Sequence, residues 1–381
     1  NVTHYRQTIT DNILDDITGR LEKSSDYTSR VQDIRAFNRS SPVLKRGIAL
    51  TPVKFGISFT ATHLNQAGAL LHIYTDGTVH INHGGTEMGQ GLFTKVAQVV
   101  AEELQIDLDR IKITASDTSK VPNASATAAS SGSDLNGKAA QAAARKIKKR
   151  LVRFAVERFG VGPGEVEFHN NAVRMGQETL GFEEFIQLAW FARTSLSATG
   201  FYRTPEIHYD RSTFSGRPFF YYAYGAAVSE VIVDTLTGEY RLLRVDILHD
   251  CGKSLNPAID MGQIEGGFIQ GAGWLTTEEL CWNENGELKT HAPSTYKIPT
   301  CSDLPVDFRV AMFEMGLNRE KTIYRSKAVG EPPLMLSLSV FHAIRDAVAS
   351  VGGERCRPPL VAPATPEAVL AAIEALREAG P

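Results

Sequence analysis

The sequence predicts an α+β fold, in which antiparallel hairpins and long helices follow one another without a regular βαβ repeat. Two pairs of apolar, β-branched segments lie at residues 69–82 and 226–248, and the first pair is joined by an Asp-Gly turn. Two other segments, 92–104 and 135–159, carry apolar residues at helical spacing. Because tight turns join neighbouring strands antiparallel, these sheets need no crossover helices.

The first half of the chain is predicted to begin with a pair of helices. Residues 8–37 have helical spacing and many charges, and the polar stretch at 38–42, which contains a proline, ends that pattern. A strand is expected from Lys54. The predicted elements that follow are the hairpin at 69–82, a glycine-rich loop at 84–91, a helix to about Leu104, a loop of small residues at 123–133, and a helix from about Leu135 to Phe159.

The second half is predicted to contain the longer hairpin and a third glycine-rich loop. A short helix is expected at residues 182–191, before the hairpin at 226–248. A third stretch rich in glycine and small residues, at 260–273, is interpreted as a loop like those at 84–91 and 123–133. The remaining predicted elements are a strand at 307–313, a helix at about 336–351 and a last helix that begins after 365–367.

Composition favours small-molecule chemistry. The 381 residues carry a net charge of -3, whereas a general nucleic-acid binder normally has a basic surplus. No apolar stretch is expected to approach the roughly 20 residues needed to cross a bilayer, so we predict a soluble, cytoplasmic protein. The chain starts without methionine, which suggests a processed product or the later part of a longer polypeptide.

No metal site made of protein side chains is predicted. The cysteines show no C-x-x-C pair and no spacing that suits zinc or an iron–sulfur cluster, so free thiols are expected. The ten histidines are scattered in the same way. The four cysteines are Cys251, Cys281, Cys301 and Cys356.

Glu331 is the candidate catalytic residue, because it lies between Gly330 and two prolines. Pro332 restricts the residue before it, so we predict a stiff, non-helical corner that presents the carboxylate. The apolar residues that follow would leave this carboxylate in low-dielectric surroundings, where it is a better base. The alternative is a surface turn whose acid caps the next helix.

The three glycine-rich segments are the candidate cofactor site. Clustered backbone N–H groups suit a phosphate-bearing, pterin-like or nucleotide-like ligand. The amides of Gln90 and Gln263 could donate and accept along the edge of a heterocycle. None of the three segments matches a known phosphate fingerprint. The alternative is that these glycines only allow helices to pack closely on strands.

Six blocks of sequence, in order, resemble the molybdenum-binding subunit of the xanthine dehydrogenase/oxidase family. They lie at residues 54–60, 84–91, 127–130, 199–205, 256–260 and 327–333. The chain is similar to the C-terminal half of the molybdenum-cofactor region in that family, and its tail after Arg357 looks bacterial. The resemblance implies an elongated pair of molybdopterin-binding domains. It divides the chain into a helical leading segment (1–42), a first part of the molybdopterin-binding region (43–160), a second part with the Glu331 corner (161–356) and a helical tail (357–381).

The resemblance also implies roles for individual residues. The metal would be held by the pterin dithiolene and not by protein side chains. Phe59 would form a wall against a flat substrate ring, Thr60 would lie beside it, and the backbone at Ala128 and Ala129 would border the substrate pocket. Glu331 would be the base. The residues that would bind the pterin are Met88, Gly89, Gln90, Ser130 and Gln263.

The reaction implied by the resemblance is the oxidation of xanthine or hypoxanthine. Glu331 would take a proton from a metal-bound hydroxyl, the oxygen would attack a purine carbon, and a hydride would pass to the sulfido ligand. The electrons would leave through [2Fe–2S] clusters and FAD to NAD, carried on a partner chain or on other segments. Further implied partners are the preceding half of the molybdenum subunit, which would carry the residues that orient the purine, and a second copy, giving a dimer of heterodimers.

Two alternatives to this function stay open at the level of sequence. Aldehyde oxidases and hydroxylases of other heteroaromatic compounds share the base and the pterin loops of the resembling family. A non-catalytic module for cofactor binding or assembly would also use glycine-rich loops.

Overall fold

A computed structural model describes residues 1–121, 123–352 and 357–378. The helices are α1 Leu14–Ser24, α2 Tyr27–Ser40, α3 Leu92–Leu104, α4 Gly132–Phe159, α5 Phe182–Phe191, α6 Pro257–Thr276, α7 Pro332–Leu336, α8 Leu338–Gly352 and α9 Pro366–Glu378. The strands are β1 Leu44–Ile57, β2 Gln66–Ile73, β3 Val79–His83, β4 Ile111–Ile113, β5 Val166–His169, β6 Ala172–Met175, β7 Glu178–Gly181, β8 Ser197–Arg203, β9 His208–Asp210, β10 Ser215–Arg217, β11 Tyr221–Asp234, β12 Tyr240–His249 and β13 Asp307–Met312.

One sheet, in the order β4-β3-β2-β8, carries helices α3 and α4. The β2–β3 hairpin turns at Gly77, whose φ of +76° is in the left-handed region that favours glycine. Apolar residues of the sheet and of both helices form one core, in which Leu71, Ile81 and Ile147 are fully buried. The amino-terminal ends of α3 and α4 are thereby held on a rigid support.

The second sheet, in the order β1-β11-β12-β13, is covered by helices on both faces. Strands β1 and β11 pair antiparallel along their full lengths, from Leu44 opposite Asp234 to Ile57 opposite Tyr221. Helices α6, α8 and α9 pack on one face, and α1 and α2 pack on the other. This sheet positions α6 and the segment that contains Glu331.

The α+β class, the leading helix pair, both hairpins and the long helices predicted from the sequence are confirmed. The strand expected from Lys54 is the end of β1, which begins ten residues earlier, at Leu44. The proposed division of the chain at residue 160 stays a prediction. Both four-stranded sheets take strands from both sides of that point, because β1 pairs with β11 and β2 pairs with β8.

The interpretation of residues 260–273 as a loop was wrong, because this stretch lies inside helix α6. Asn256 caps the helix by accepting a hydrogen bond from the Ile259 N–H at 3.0 Å, and Pro257 occupies the first helical position. Gly271 lies against α7, where an added Cβ would collide with the Leu334 carbonyl oxygen and the Ser337 side chain. Gly271 therefore permits close packing of α6 on another helix, whereas the alternative considered for these segments was packing of helices on strands.

The backbone prediction for Glu331 was also wrong. Its φ of −86° and ψ of −37° are helical, and it directly precedes the short helix α7. The two prolines occupy the first positions of α7, where their missing N–H groups would have no partner in any case. The Glu331 carboxylate does not cap this helix, so the alternative role is not seen either.

One stretch of the described residues, Pro332–Gly352, is long and apolar enough to cross a membrane, contrary to the expectation from the sequence. It consists of α7 and α8, and α8 packs on β1 and β11. Val340, Ile344 and Val348 are buried in that contact. Burial against a sheet of its own chain is typical of a core helix, and the cytoplasmic location stays a prediction.

Candidate functional site

A cavity of about 340 Å³ lies between helices α3 and α4, which pack on the first sheet, and helix α6, which packs on the second. Its walls are the starts of α3 and α4, the first half of α6 and residues 326–331, which we name the Glu331 segment. Six of the residues predicted from the sequence line this cavity: Met88, Gln90, Ala128, Ser130, Gln263 and Glu331. Segments far apart in the sequence are therefore brought together as the resemblance implied.

The glycine-rich loop before α3 is held by one carboxylate. Glu87 accepts hydrogen bonds from the backbone N–H groups of Gly89, Gly91 and Phe93 at 2.9, 3.0 and 2.9 Å. Burial alone would raise the pKa of Glu87, but these backbone donors outweigh it and hold the pKa below its usual value. The loop is thus a fixed turn that leaves Met88 66% exposed at the cavity rim.

The amides of the two candidate glutamines are used differently. The Gln90 side chain bonds within its own loop, accepting from the Met88 N–H at 2.5 Å and donating to the Thr86 carbonyl at 2.8 Å. The Gln263 amide forms no hydrogen bond with any other residue in the described ranges. Of the two, Gln263 has both amide groups free for a ligand.

Helix α4 points its amino-terminal end into the cavity. Ala129 and Ser130, just before it, have φ values of 54° and 53°, which are uncommon for residues other than glycine. The N–H groups of the first turn, at residues 132–134, have no partner among the described residues, and the helix has no side-chain cap. Such an end attracts negatively charged groups.

Glu331 and Ser130 hold each other through two hydrogen bonds. The Ser130 hydroxyl donates to Oε2 of Glu331 at 2.6 Å, and the Glu331 N–H donates to the Ser130 Oγ at 2.8 Å. Glu331 is exposed, so its carboxylate is not in the low-dielectric surroundings that were expected. Its direction is nevertheless fixed by the loop that precedes α4.

Phe59, Thr60 and Ala129 lie outside this cavity. Phe59 exchanges backbone hydrogen bonds with the Asn65 side chain, both at 2.8 Å, and Thr60 is exposed. Ala129 instead lines a neighbouring cavity of about 440 Å³, which Glu331 also borders. The carboxylate thus stands between two cavities.

Buried charged residues behind the cavity were missed by sequence reasoning. Lys95 pairs with Asp260, and Asp260 also accepts a hydrogen bond from Ser254. Lys95 lies on the apolar face of α3 beside Leu92 and Val96, and a lysine at such a position is the signal that could have identified it. This ion pair leaves the wall of the cavity polar without leaving an unpaired charge.

Asp134, in the first turn of α4, is a second missed residue. Burial raises its pKa to about 6, although the hydrogen bond from the Tyr221 hydroxyl, at 2.7 Å, opposes that rise. A carboxyl in the first turn of a helix is common, so the residue type and its position do not indicate that this one is buried.

Among the described residues, no group of three or more His, Cys, Asp or Glu side chains could hold a metal ion. Cys251 is buried, Cys281 and Cys301 are exposed, and none of the three is in a disulfide. Cys356 lies outside the described residues. The donor set of the cavity fits a polar, phosphate-bearing heterocycle instead: a free helix end, the unpaired Gln263 amide and the open turn at Gly89, where an added Cβ would meet nothing within 4 Å.

Two buried histidines predict that acid destabilises the fold. Burial lowers the pKa of His83 and His249 to about 4, so both side chains are neutral in the folded chain at neutral pH. In the unfolded chain the same histidines have the ordinary pKa of 6.5 and take up protons below that pH. Their contribution is therefore present above pH 6.5 and is lost as the pH falls towards 4. In urea unfolding experiments, each of the two histidines should lower the free energy of unfolding by roughly 2 kcal/mol when the pH falls from 7.5 to 5.

His83→Gln should shrink that acid loss, while His63→Gln, at an exposed position, should not. His83 accepts a hydrogen bond from the Gly85 N–H at 3.1 Å, and a glutamine oxygen can replace this acceptor. An equal acid loss in wild type and His83→Gln would contradict the assignment.

Comparison with known proteins gives consistent results. The sequence profile of a family described as the molybdopterin cofactor-binding domain matches residues 20–305. Xanthine dehydrogenase/oxidase of Mus musculus is 45% identical over 375 residues, which is 97% of this chain and 27% of the mouse protein. Xanthine dehydrogenase of Oryza sativa subsp. japonica is 43% identical over 379 residues, covering 97% of this chain and 26% of the rice protein.

A solved structure has the same fold. Quinoline 2-oxidoreductase from Pseudomonas putida 86 superimposes with a TM-score of 0.82 at 23% sequence identity, covering 98% of this chain and 47% of that one. The chain thus spans about a quarter of the length of the curated relatives that it matches.

Proposed function

Because the chain belongs to the molybdopterin cofactor-binding domain family, we propose that it is part of a molybdenum hydroxylase that oxidises xanthine and hypoxanthine. The observation that carries this proposal is the Glu331 carboxylate, fixed by Ser130 at the wall of a cavity suited to a phosphate-bearing heterocycle. The 45% identity to a xanthine dehydrogenase/oxidase along nearly the whole chain supports the choice of substrate.

The cavity would hold the molybdopterin. The first-turn N–H groups of α4 would face its phosphate, Gln263 would bond its ring, and Met88 and Gly89 would lie along it. Gln90 would act mainly by fixing the turn, since its amide is bonded to Thr86 and Met88. Ser130 would contribute less to holding the cofactor than to holding Glu331.

When bound, the molybdenum cofactor supplies the oxygen transfer and the two-electron oxidation that side chains cannot perform. Glu331 serves as the base, with its Oε1 free to accept a proton while Oε2 takes the hydrogen bond from Ser130. Holding one carboxylate oxygen fixes the direction of the other. Proton transfer therefore begins from an oriented base and costs little reorganisation.

The substrate would lie on the other side of Glu331, towards the cavity of about 440 Å³. Ala128 and Ala129 would border it with their backbone, and Phe59 and Thr60 would come from the loop after β1. Residues that orient the purine are expected in the preceding half of the subunit.

The electrons would leave through partners. We propose [2Fe–2S] clusters, FAD and NAD on another subunit or on other segments, and a dimer of heterodimers in the cytoplasm of a bacterium. The length of the relatives supports this, because roughly three quarters of each lies outside the matching region.

Cofactor content and substrate choice of the complete, purified enzyme test the proposal. We expect molybdenum and pterin in equal amounts, and faster turnover of xanthine than of an aromatic aldehyde at equal concentration. A faster reaction with the aldehyde would indicate an aldehyde oxidase, and preference for another heteroaromatic compound would indicate a related hydroxylase. Absence of molybdenum and of turnover would favour a non-catalytic binding or assembly module.

A further inference from the structure

A hydrogen-bonded chain runs from a buried carboxylate to the segment that contains Glu331. Tyr221, at the start of β11, donates its hydroxyl proton to Oδ2 of Asp134 at 2.7 Å. The same hydroxyl oxygen accepts a hydrogen bond from the N–H of Ala328 at 3.0 Å. Tyr221 is 3% exposed and Asp134 is 9% exposed, so water does not readily replace either partner.

The remaining contacts of the Glu331 segment lie on both sides of this bond. On one side the Lys327 ammonium pairs with the buried Asp250 at 2.6 Å, and the backbone N–H of Lys327 donates to the Cys251 carbonyl at 2.8 Å. On the other side Glu331 is bonded to Ser130. Among the described residues, the N–H groups of residues 328–330 have one hydrogen-bond partner, which is the Tyr221 hydroxyl bonded to Ala328.

We propose that Tyr221, held by Asp134, is a positioning residue for Glu331. It does not touch the reacting atoms. It fixes Ala328, three residues before the base, and Asp134 fixes Tyr221 from the first turn of α4, the helix that follows Ser130. The base and the serine that orients it are thus tied to one buried hydrogen-bonded pair. This inference rests on the proposed role of Glu331.

The test compares two tyrosines of the same strand in the complete holoenzyme. Tyr221→Phe removes the hydroxyl that joins Asp134 to Ala328. Tyr224→Phe removes a buried hydroxyl that has no hydrogen-bond partner among the described residues, and it keeps the aromatic ring that lies 5.1 Å from the Lys327 ammonium. The two changes are chemically identical, and only the first breaks the chain.

We expect Tyr221→Phe to lower kcat per bound molybdenum about tenfold to a hundredfold, with KM changed less than about threefold, because a displaced base affects the transition state more than binding. Hydrogen–deuterium exchange of the peptide that covers the Glu331 segment should become faster, also in enzyme prepared without cofactor. Tyr224→Phe should show neither effect.

Wild-type kcat per molybdenum and unchanged exchange in Tyr221→Phe would overturn the inference. So would a loss of activity that follows molybdenum content or thermal stability alone, since that outcome assigns Tyr221 a purely structural role. Glu331→Gln separates the two proposals. If Glu331→Gln is inactive while Tyr221→Phe is fully active, the role of Glu331 stands and only this inference fails; if Glu331→Gln is active, the proposed base itself is wrong.

Discussion

Replacing Glu331 by alanine is expected to lower turnover of the complete enzyme by roughly two to four orders of magnitude, the range for loss of a general base. Folding and molybdenum content should be unchanged, because Glu331 is exposed. Its one described side-chain partner is the Ser130 hydroxyl, which can turn to water once the carboxylate is gone. Steady-state kinetics, normalised to bound molybdenum, measure the effect.

Two further variants separate the proton-accepting role of the Glu331 carboxylate from the space that its side chain fills. Glu331→Gln keeps the length of the side chain and an oxygen that can accept the Ser130 hydrogen bond, but an amide cannot take up the proton. It should therefore be nearly as slow as the alanine variant. Glu265→Ala removes an exposed carboxylate from α6 and should turn over like wild type. Retained turnover in both Glu331 variants would contradict the proposed base.

The second large effect is expected at Gly271, where α6 touches α7. An added methyl group would collide with the Leu334 carbonyl and the Ser337 hydroxyl, and both helices are anchored on the second sheet. Gly271→Ala should lower the free energy of unfolding by about 2 to 3 kcal/mol, the cost of overpacking a close contact. Because α7 begins directly after Glu331, turnover should fall as well.

Gly266 provides the matched control within the same helix. An added Cβ there would meet nothing within 4 Å, so Gly266→Ala should gain about 0.5 to 1 kcal/mol from helix propensity. Urea unfolding of both variants at one pH compares them directly. Equal stability of the two alanine variants would contradict the close packing of α6 on α7.

The sequence predicted those elements that local chemistry determines. The Asp-Gly turn before β3 specifies its hairpin through the left-handed conformation of Gly77, and the apolar spacing of α3 specifies its buried face. Both signals lie within a few residues of the element that they determine. The stretch at 260–273 carries no such local signal, because Gly267 and Gly271 of α6 are required by close contacts with α7, some sixty residues further along.

Site residues that lie in a sequence motif could be predicted, whereas those placed by tertiary packing could not. The ordered blocks predicted that Met88, Ser130 and Glu331 belong to one site, and the structure brings these three residues to one cavity. The helical backbone of Glu331 was not predictable from the rule for residues before proline, because α7 overrides a local preference of that size. The buried pair of Asp134 and Tyr221 depends on a contact between distant segments, and neither residue type predicts that contact.

Ser130 and Glu331 are 201 positions apart in the chain, and this separation sets when the cavity can exist. At a synthesis rate of 5 to 20 residues per second, the ribosome adds Glu331 roughly 10 to 40 s after Ser130. During that interval the helix α4 can form, but the hydroxyl of Ser130 has no carboxylate to meet and one wall of the cavity is missing. Binding in the completed cavity therefore follows the synthesis of Glu331, as a separate step of maturation.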